Sequence, residues 1–433
     1  MITTPDFVRS PLTTANHLTA VKTTRRKFLK SSAATAFAFQ IVPSHVVGAG
    51  GKTPPSETYG TALIGCGGRG PGTYAGMVRD LPCKLVAACD VRHNQAAGFI
   101  KRTNPEAKLY TDFRRLLENP EVDLVAIATP PHWHALISIA SAEAGKDVLC
   151  EKPMTRFINE GRAVVQAFER YKRVFQIGTF GRFGASKSKA SREIHKLMRS
   201  GLLNPNPGVH IKKGGLKIHQ WSGRPGLPPQ IPSADLDWDM YCGPSPFKPY
   251  VGPRVGGTHR NYWDYEGGGM CDMGQHHFDP MQWVYGKDDT SPVTIEPFAP
   301  PAHPEVTGMW AWVELTYADG FTFVMDSNEW GPRYDRKASR QPALNDLSPA
   351  DQEKIKAMPD PEPLLSFAEA VKQRKPAGGH PEAAHRAACI LHLANLAIRL
   401  GRKINYDPVK EVIVGDEAAN RLINVPMRSP WHL

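Results

Sequence analysis

The stretch TALIGCGGRGPG, residues 61–72, decides the fold of this chain. Its first part, residues 61–66, is an apolar run that predicts a buried β-strand. Gly65, Gly67 and Gly70 follow with the spacing Gly-x-Gly-x-x-Gly, and a helix is predicted toward residue 78. Glycines at a turn between a strand and a helix let the backbone approach a pyrophosphate, whose charge the helix N-terminus favours. The stretch therefore predicts a dinucleotide-binding unit, and a glycine-rich turn without a ligand is the alternative.

A second predicted strand, residues 84–89, ends at Asp90. An acidic side chain about twenty residues beyond the glycines can accept a hydrogen bond from a ribose 2′-hydroxyl and would repel a 2′-phosphate. The expected cofactor is therefore NAD, and NADP is disfavoured. Arg92 either weakens this preference or packs on the adenine, and Gly68 and Arg69 are expected to contact the same cofactor.

Strands and helices continue to alternate after this unit, which predicts a doubly wound parallel sheet covered on both faces. The strands are predicted over 124–129, 147–150 and 174–178, and the helices over 133–143 and 161–171. Cofactors bind at the carboxyl edge of such sheets. We therefore expect further cofactor contacts where strands end, at Thr129, Pro130, Glu151 and Lys152. His134 begins a helix at the same edge, and it is either a cofactor contact or a polar helix start.

Length and composition fit a globular protein of more than one domain. The chain has 433 residues, 41% of them hydrophobic, and a formal net charge of +11. Residues 1–50 hold six Lys and Arg and a single Asp, so nearly half of this charge lies there. No basic block with interleaved aromatics is found beyond them, and a nucleic-acid partner is not expected. The seven cysteines form no C-x-x-C pair and are expected to be buried free thiols.

The N-terminal segment reads as an export signal. Residues 24–30 are TRRKFLK, and a short apolar region, 33–42, precedes small residues. Arg25 and Arg26 followed by Phe and Leu match a twin-arginine signal, and a chance arginine pair is the alternative. We therefore predict a signal peptide over 1–50, twin-arginine export and a periplasmic location. The apolar run is too short for a spanning helix, although an uncleaved anchor stays an alternative.

The densest polar and aromatic cluster is HRNYWDYEGGGMCDMGQHHFD, residues 259–279. Residues 272–283 have helical spacing, so Asp272 and His276 lie four apart on one face. The pair fits a helix cap with a core histidine, a metal site with His277 and Asp279, or a catalytic pair. Adjacent histidines point to different faces, so no metal is expected and the catalytic interpretation is favoured.

The pattern changes near residue 181, which predicts domains over 57–180 and 181–433. The second begins with a helix over 188–199 and a Pro- and Gly-rich surface loop over 221–233. Strands over 308–317 and 321–326 flank Ala-Asp-Gly, a hairpin signal, and helices follow over 364–372 and 385–399. These elements predict an α+β domain.

The motifs together resemble the Gfo/Idh/MocA family of oxidoreductases. The resemblance rests on the glycine loop, on T-P-x-x-x-H from Thr129 to His134, on Ala-Gly-Lys at 144–146, on Glu-Lys-Pro at 151–153 and on G-G-x-x-x-D-x-G-x-H before His276. It implies an N-terminal Rossmann domain and a C-terminal domain with an open, mostly antiparallel sheet. That sheet carries substrate and oligomer surfaces in the family, which implies a dimer or tetramer.

The resemblance also implies a reaction, hydride transfer between a bound nicotinamide and a CH–OH group of a sugar, a sugar derivative or a cyclitol. Lys152 would hold the substrate oxygen, Asp272 would position it, and His276 would take the hydroxyl proton. Aromatic planes cover sugar faces and arginine donates to hydroxyls. The candidate substrate contacts are therefore Arg182, Tyr262, Trp263, Tyr265, His276 and His277, each of which also suits a packing role.

Two other functions stay open. An exported enzyme meets little free NAD, so we expect a tightly bound cofactor that is reset within the enzyme by a second carbonyl substrate. The first alternative is an NAD-dependent glycosidase, which oxidises, eliminates and reduces again on one substrate. The second is an exported sugar-binding module without catalysis.

Overall fold

The computed structural model describes residues 57–203, 209–216 and 223–433. The predicted export signal and the first two residues of the predicted 221–233 loop lie outside these ranges. Residues 223–233 hold no helix or strand, in agreement with a loop.

The N-terminal part of the described chain forms a six-stranded parallel sheet. Its strands are β1 (Tyr59–Ile64), β2 (Cys83–Cys89), β3 (Lys108–Tyr110), β4 (Leu124–Ile127), β5 (Asp147–Cys150) and β6 (Phe175–Ile177). Its helices are α1 (Gly70–Val78), α2 (His93–Thr103), α3 (Phe113–Leu117), α4 (His134–Glu143) and α5 (Ile158–Tyr171). The spatial order is β3-β2-β1-β4-β5-β6, and the order reverses between β1 and β4. Ligands of open α/β sheets bind outside the carboxyl ends of the strands at such a point.

Two glycines of the 61–72 stretch are required by close backbone contacts. Gly65 has a φ of +89°, and a Cβ there would lie 2.6 Å from the carbonyl carbon of Ala128. A Cβ on Gly70 would lie 2.1 Å from the carbonyl oxygen of Gly65. The first glycine therefore makes the turn, and the second lets α1 begin directly against β1.

The C-terminal part forms a second six-stranded sheet in the order β12-β11-β8-β9-β10-β7. Its strands are β7 (His210–Gly214), β8 (Thr294–Phe298), β9 (Trp312–Thr316), β10 (Thr322–Asp326), β11 (Ile404–Asp407) and β12 (Val412–Ile413). The pairings are antiparallel except that of β7 with β10. The predicted fold class, a Rossmann sheet followed by an α+β domain with a mostly antiparallel sheet, is confirmed.

The C-terminal part also contains helices, some of which pack on the second sheet and some on the first. They are α6 (Gly181–Lys187), α7 (Lys189–Arg199), α8 (Trp238–Cys242), α9 (Gly268–Val284), α10 (Pro349–Ala357), α11 (Phe367–Gln373), α12 (Pro381–Leu400) and α13 (Glu417–Ile423). Phe278 of α9 and Leu391 of α12 share one buried apolar cluster with Phe323 of β10. This cluster is the core of the second sheet.

The chain returns to the first sheet late in the sequence. Phe367 and Val371 of α11 are buried in one cluster with Leu63 and Leu124. Ala384 and Ala388 of α12 pack in another with residues of β4 and β6. The core of the first sheet therefore includes residues from beyond 365, and the predicted division at residue 180 stays a prediction.

Most element boundaries agree with the predictions within a few residues. Strand β5 matches its predicted range, whereas α5 begins three residues before the predicted start at 161. The earlier start follows from Glu160, whose carboxylate accepts hydrogen bonds from the backbone N–H groups of Arg156 and Phe157. Helix α9 also begins earlier, at Gly268, so Asp272 lies within the helix and is not its cap.

All seven cysteines are free, and all but Cys83 are buried. Among the residues that the structure describes, no helix has the length and apolar character needed to span a membrane.

Candidate active site

A cleft of about 930 Å³ lies at the carboxyl edge of the first sheet. The glycine loop and Asp90 line one part, and Lys152, Asp272 and His276 line another. The segment that precedes α9 supplies a further wall through Val255, Gly256, Gly257, His259, Arg260 and Glu266. The cleft therefore joins the predicted cofactor loop to the predicted catalytic residues.

The loop end of the cleft fits a dinucleotide. A Cβ on Gly67 would lie 2.7 Å from Oε1 of Gln95, whereas a Cβ on Gly68 would meet nothing within 4 Å, so the loop backbone is open to the cleft at Gly68. Asp90 accepts hydrogen bonds from the backbone N–H groups of Cys66, at 2.7 Å, and Arg92, at 2.8 Å. These bonds fix the carboxylate beside the loop, where it can also accept from a ribose hydroxyl. Burial raises the pKa of Asp90.

Glu151 and Arg69 contact each other across the cleft. Nε of Arg69 donates to Oε1 of Glu151 at 2.8 Å, and the Thr73 hydroxyl donates to the same oxygen at 2.8 Å. The Arg69 side chain is more than half exposed, whereas that of Glu151 is buried. The ion pair therefore connects the end of β5 to the start of α1. Glu151 directly precedes Lys152, so this contact also fixes the backbone next to Lys152.

Lys152 and Asp272 form the central ion pair of the site. Nζ of Lys152 donates to Oδ1 of Asp272 at 2.6 Å and also to the Asp272 carbonyl oxygen. Nε of Arg260 lies 2.8 Å from the same Oδ1. Burial raises the pKa of Asp272, but the charges and hydrogen bonds of Lys152 and Arg260 outweigh burial and lower it overall. Asp272 is therefore ionised at neutral pH.

His276 lies one helical turn after Asp272 and lines the same cleft. Burial, and next the positive charge of Lys152, lowers the pKa of its imidazole. The ring is therefore neutral at neutral pH and able to accept a proton.

Gln275 fixes the position of α9 relative to Lys152. This fully buried side chain accepts a hydrogen bond from the backbone N–H of Met154 at 3.0 Å and donates to the Ala384 carbonyl at 3.1 Å. It thus joins the helix that carries Asp272 and His276 both to the segment after Lys152 and to α12.

His134 supports the cleft without lining it. Its ring nitrogens lie 2.8 Å from the carbonyl oxygens of Thr129 and Pro153, and the side chain is buried. Thr129 and Pro130 do line the cleft. The structure therefore places His134 behind the wall, where it links the end of β4 to the segment after Lys152.

Arg182 is not at the cleft, in contrast to its predicted role as a substrate contact. It is 1% exposed and pairs with Asp279 at 2.8 Å and with Asp288 at 3.1 Å. It also donates to the Gly378 carbonyl. The ion pair with Asp279 thus joins α6 to α9. The same contact engages Asp279, which was a possible ligand in the metal interpretation.

The three candidate aromatic contacts belong to the segment 256–266, but their side chains are buried and do not line the cleft. The Tyr262 hydroxyl donates to the Arg224 carbonyl, and the Trp263 indole donates to the His303 carbonyl. Tyr265 packs with its ring centroid 4.9 Å from that of His132. His277, half-buried, also lies outside the cleft lining. Of the six candidate substrate contacts, the structure brings only His276 to the cleft.

Other residues of the same cluster, which were not among the predicted site residues, line the cleft in place of these side chains. Arg260 contacts Asp272, and the buried Glu266 lies with its Oε2 3.3 Å from Nε2 of His259. His259, Arg260 and Glu266 line the cleft. The sequence pointed to these residues only through their position in the polar and aromatic cluster 259–279. Which side chains of this cluster face the cleft depends on the 3₁₀ turn over Gly256–Asn261.

Within the described ranges, no three His, Cys, Asp or Glu side chains converge to hold a metal ion.

Two family profiles match the chain. One, described as an oxidoreductase family with an NAD-binding Rossmann fold, matches residues 59–179. The other, described as the C-terminal alpha/beta domain of the same oxidoreductase family, matches residues 187–433.

Curated relatives match over shorter stretches. Levoglucosan dehydrogenase of Pseudarthrobacter phenanthrenivorans is 32% identical over 118 residues, which are 27% of this chain and 28% of that protein. A glycosyl hydrolase family 109 protein of Shewanella baltica is 29% identical over 169 residues, 34% of this chain and 37% of that protein. The chain thus spans well under two thirds of the length of these relatives.

The fold is similar to that of the WlbA dehydrogenase of Bordetella pertussis, solved in complex with NADH and UDP-GlcNAcA. The TM-score is 0.54 at 13% identity, over 81% of this chain and 99% of that one. This similarity concerns the fold alone. The profiles, which together span both sheets, show that the chain belongs to the Gfo/Idh/MocA oxidoreductase family, with an NAD-binding Rossmann domain.

Proposed function

We propose that this protein is an NAD-dependent oxidoreductase that acts on a CH–OH group of a sugar, a sugar derivative or a cyclitol. The observation that carries the proposal is the convergence of Lys152, Asp272 and His276 in the cleft that the glycine loop also lines. A bound nicotinamide would supply the hydride acceptor. The chain's own groups would bind the substrate oxygen and move its proton.

Lys152 binds the oxygen of the CH–OH group whose carbon is oxidised. An ammonium group has three N–H donors, and Asp272 accepts two of them through its carboxylate and its carbonyl. The third N–H donor is left for a substrate oxygen. Its direction is fixed because Asp272 holds the other two donors. Asp272 and its contact with Arg260 thus position Lys152 before the substrate arrives.

His276 takes the hydroxyl proton. It lies on the same face of α9 as Asp272, and the lowered pKa keeps the imidazole neutral. A general base needs hydrogen-bond reach of the proton it removes, which a substrate oxygen on Lys152 would provide.

The loop end of the cleft would hold the cofactor. Asp90 would accept from the adenosine ribose, and the bare backbone of the glycine loop would approach the pyrophosphate. Thr129, Pro130 and the Arg69–Glu151 pair would border the remainder.

The location is a further part of the proposal. The twin-arginine pattern over 24–30 supports export of the folded protein with its cofactor already bound. A cofactor that does not exchange must be reset within the enzyme, and reduction of a second carbonyl substrate would do so.

The first experiment measures nucleotide in the purified, full chain after denaturation, by mass spectrometry. One NAD per chain supports the proposal, whereas a protein that neither contains nor binds NAD contradicts it. Absorbance of bound NADH is then followed while sugars, cyclitols and glycosides are added. Net accumulation of NADH or a ketone supports the oxidoreductase, and cleavage of a glycoside without net redox change assigns the glycosidase instead.

Lys152→Ala tests the catalytic assignment. Loss of a preorganised donor at the reacting oxygen should lower kcat at least about 100-fold, with NAD still bound at full stoichiometry. Lys101→Ala, on the last turn of α2, is the matched control and should leave kcat unchanged. Unchanged turnover in Lys152→Ala would contradict the role of Lys152.

A further inference from the structure

Two arginines behind the active site form no ion pair with any carboxylate that the structure describes. Arg156, four residues after Lys152, is 5% exposed, and Arg399 lies near the end of α12. Arg156 donates to the Trp263 carbonyl oxygen, and the Arg399 guanidinium carbon lies 4.9 Å from the centroid of the Trp263 ring. Among the described residues, no Asp or Glu oxygen lies within ion-pair distance of either guanidinium. A buried charge without a counter-charge is costly.

The nearest acids are engaged elsewhere. Asp264 pairs with Arg254 at 2.8 Å, and Oε2 of the buried Glu266, which also acts on Arg156, lies 3.3 Å from Nε2 of His259. Glu160 accepts from the backbone N–H groups of Arg156 and Phe157, and burial raises the pKa of Glu160 to about 7, which leaves it partly neutral. Residues 204–208 and 217–222 contain no Asp or Glu, and residues 1–56 contain only Asp6. Within the described ranges, the two guanidinium groups thus have acids nearby but form an ion pair with none of them.

A small cavity of about 20 Å³ lies between these groups. Arg156, Arg399, Trp263 and His392 line it. His392 is 7% exposed, and neither of its ring nitrogens has a hydrogen-bond partner of normal geometry among the described residues. Burial, and next the charge of Arg156, lowers the pKa of His392 to about 3, and the opposing interaction with the Thr155 backbone is smaller. The neutral ring thus adds one N–H donor to those of the arginines.

We propose that this cavity, lined by Arg156, Arg399 and His392, binds one small monovalent anion of the size of chloride. The volume is close to that of a single water molecule, so a phosphate or a carboxylate metabolite does not fit. Guanidinium and imidazole N–H groups suit an anion, which also compensates the two charges. The bound anion would connect α12 to the segment after Lys152 and to Trp263, which precedes α9.

Bromide identifies the site directly. Crystals of the protein grown or soaked in sodium bromide should show an anomalous bromine peak between Arg156 and Arg399. Cavity density without anomalous signal, equal in bromide and in chloride-free gluconate, would assign a water molecule and overturn the proposal.

Thermal unfolding tests the same site in solution. At constant ionic strength, replacing gluconate by chloride should raise Tm by about 2 °C for each tenfold excess over Kd. Arg399→Met keeps a stem over Trp263 but removes the charge, and it should lose most of this shift. Arg102→Met, an exposed arginine on α2, is the control for general salt effects and should keep the shift. Equal chloride shifts in all three proteins would overturn the proposal.

Discussion

At the scale of single residues, the site depends on charges that compensate one another. Asp272 lies between Lys152 and Arg260, and this arrangement keeps its carboxylate ionised and Lys152 oriented. Glu151 is likewise engaged by Arg69. The polar groups of the cleft are thus held in place by their partners before any ligand binds, as electrostatic preorganisation requires.

Arg260 is predicted to act through Asp272. Arg260→Gln removes one of the two cations beside this carboxylate, so the pKa of Asp272 should rise and Lys152 should be held less firmly. We expect kcat/KM to fall about tenfold, because a hydrogen bond to a charged group contributes about 1.5–3 kcal/mol, with NAD stoichiometry unchanged. Arg260→Lys should recover part of the loss, and a purely structural role would instead lower Tm without this rescue.

We predict that His276 sets the pH dependence of turnover. The imidazole must be neutral to accept the proton, and its pKa lies below the ordinary value of 6.5. Activity should therefore persist as pH falls to 6.5 and decline only below it. The pH profile of kcat/KM measures this decline on its acidic limb. In His276→Gln the decline should disappear together with most of the rate. A limb that stays in His276→Gln would belong to another group.

At the scale of elements, the position of α9 decides the geometry of the site. One helix carries Asp272 and His276, and Gln275 between them binds the backbone on two sides. The glycine loop depends in the same way on α1, which begins against β1 because Gly70 has no side chain.

Gln275→Leu should loosen α9. It leaves the Met154 N–H and the Ala384 carbonyl without partners, each at a cost of about 1–3 kcal/mol. Chemical denaturation should show this loss of unfolding free energy, and kcat should fall as well. Met273→Leu, an exposed position on the same helix, is the control and should change neither quantity.

Gly70 and Gly76 form a matched pair on α1. A Cβ at Gly70 would collide with the Gly65 carbonyl, whereas a Cβ at Gly76 would meet nothing within 4 Å. Gly70→Ala should therefore abolish NAD binding, measured by mass spectrometry of the bound nucleotide. Gly76→Ala should keep it and gain about 0.5–1 kcal/mol of stability. Full NAD occupancy in Gly70→Ala would contradict the loop assignment.

At the scale of the whole molecule, the two sheets share a buried charged cluster. His385 of α12 lies 2.8 Å from Glu411 after β11, and Arg162 of α5 pairs with both Glu382 and Glu411. Arg386 also faces this cluster. Burial lowers the pKa of His385, but contacts with Cys389 and Glu411 outweigh it and raise the pKa to about 9. The Glu411 pKa is lowered to about 2, because its partners outweigh burial.

These shifts predict the pH dependence of stability. The His385 contribution is complete below pH 6.5, its ordinary pKa, and is lost as pH rises toward about 9. The Glu411 contribution is complete above its ordinary pKa of 4.5 and is lost as pH falls toward about 2. Denaturation of wild type should thus show a decline between pH 6.5 and 9 that His385→Gln lacks. An equal decline in both proteins would contradict the role of His385.

The sequence predicted the fold better than it predicted the site. Buried strands such as β5 have apolar runs, and these runs predict the strand boundaries to the residue. The glycine spacing is also predictive, because the local backbone leaves no room for a side chain at these positions. Gln275 binds Met154, 121 residues away in sequence, and Arg260 reaches Asp272 only through the fold of the segment between them, which no local pattern reveals. Arg182 has the chemistry of a sugar contact, but its acidic partners on α9 and beyond fix it in the interior.

The late return of the chain to the first sheet has a consequence for synthesis on the ribosome. A nascent chain that has emerged only to residue 360 lacks Phe367 and Val371, which fill one face of the first sheet, and Ala384 and Ala388, which fill the other. The dinucleotide-binding layer therefore closes only after nearly the whole chain has been made. Nucleotide should accordingly be captured after translation, and a stalled chain that ends before α11 should not retain it.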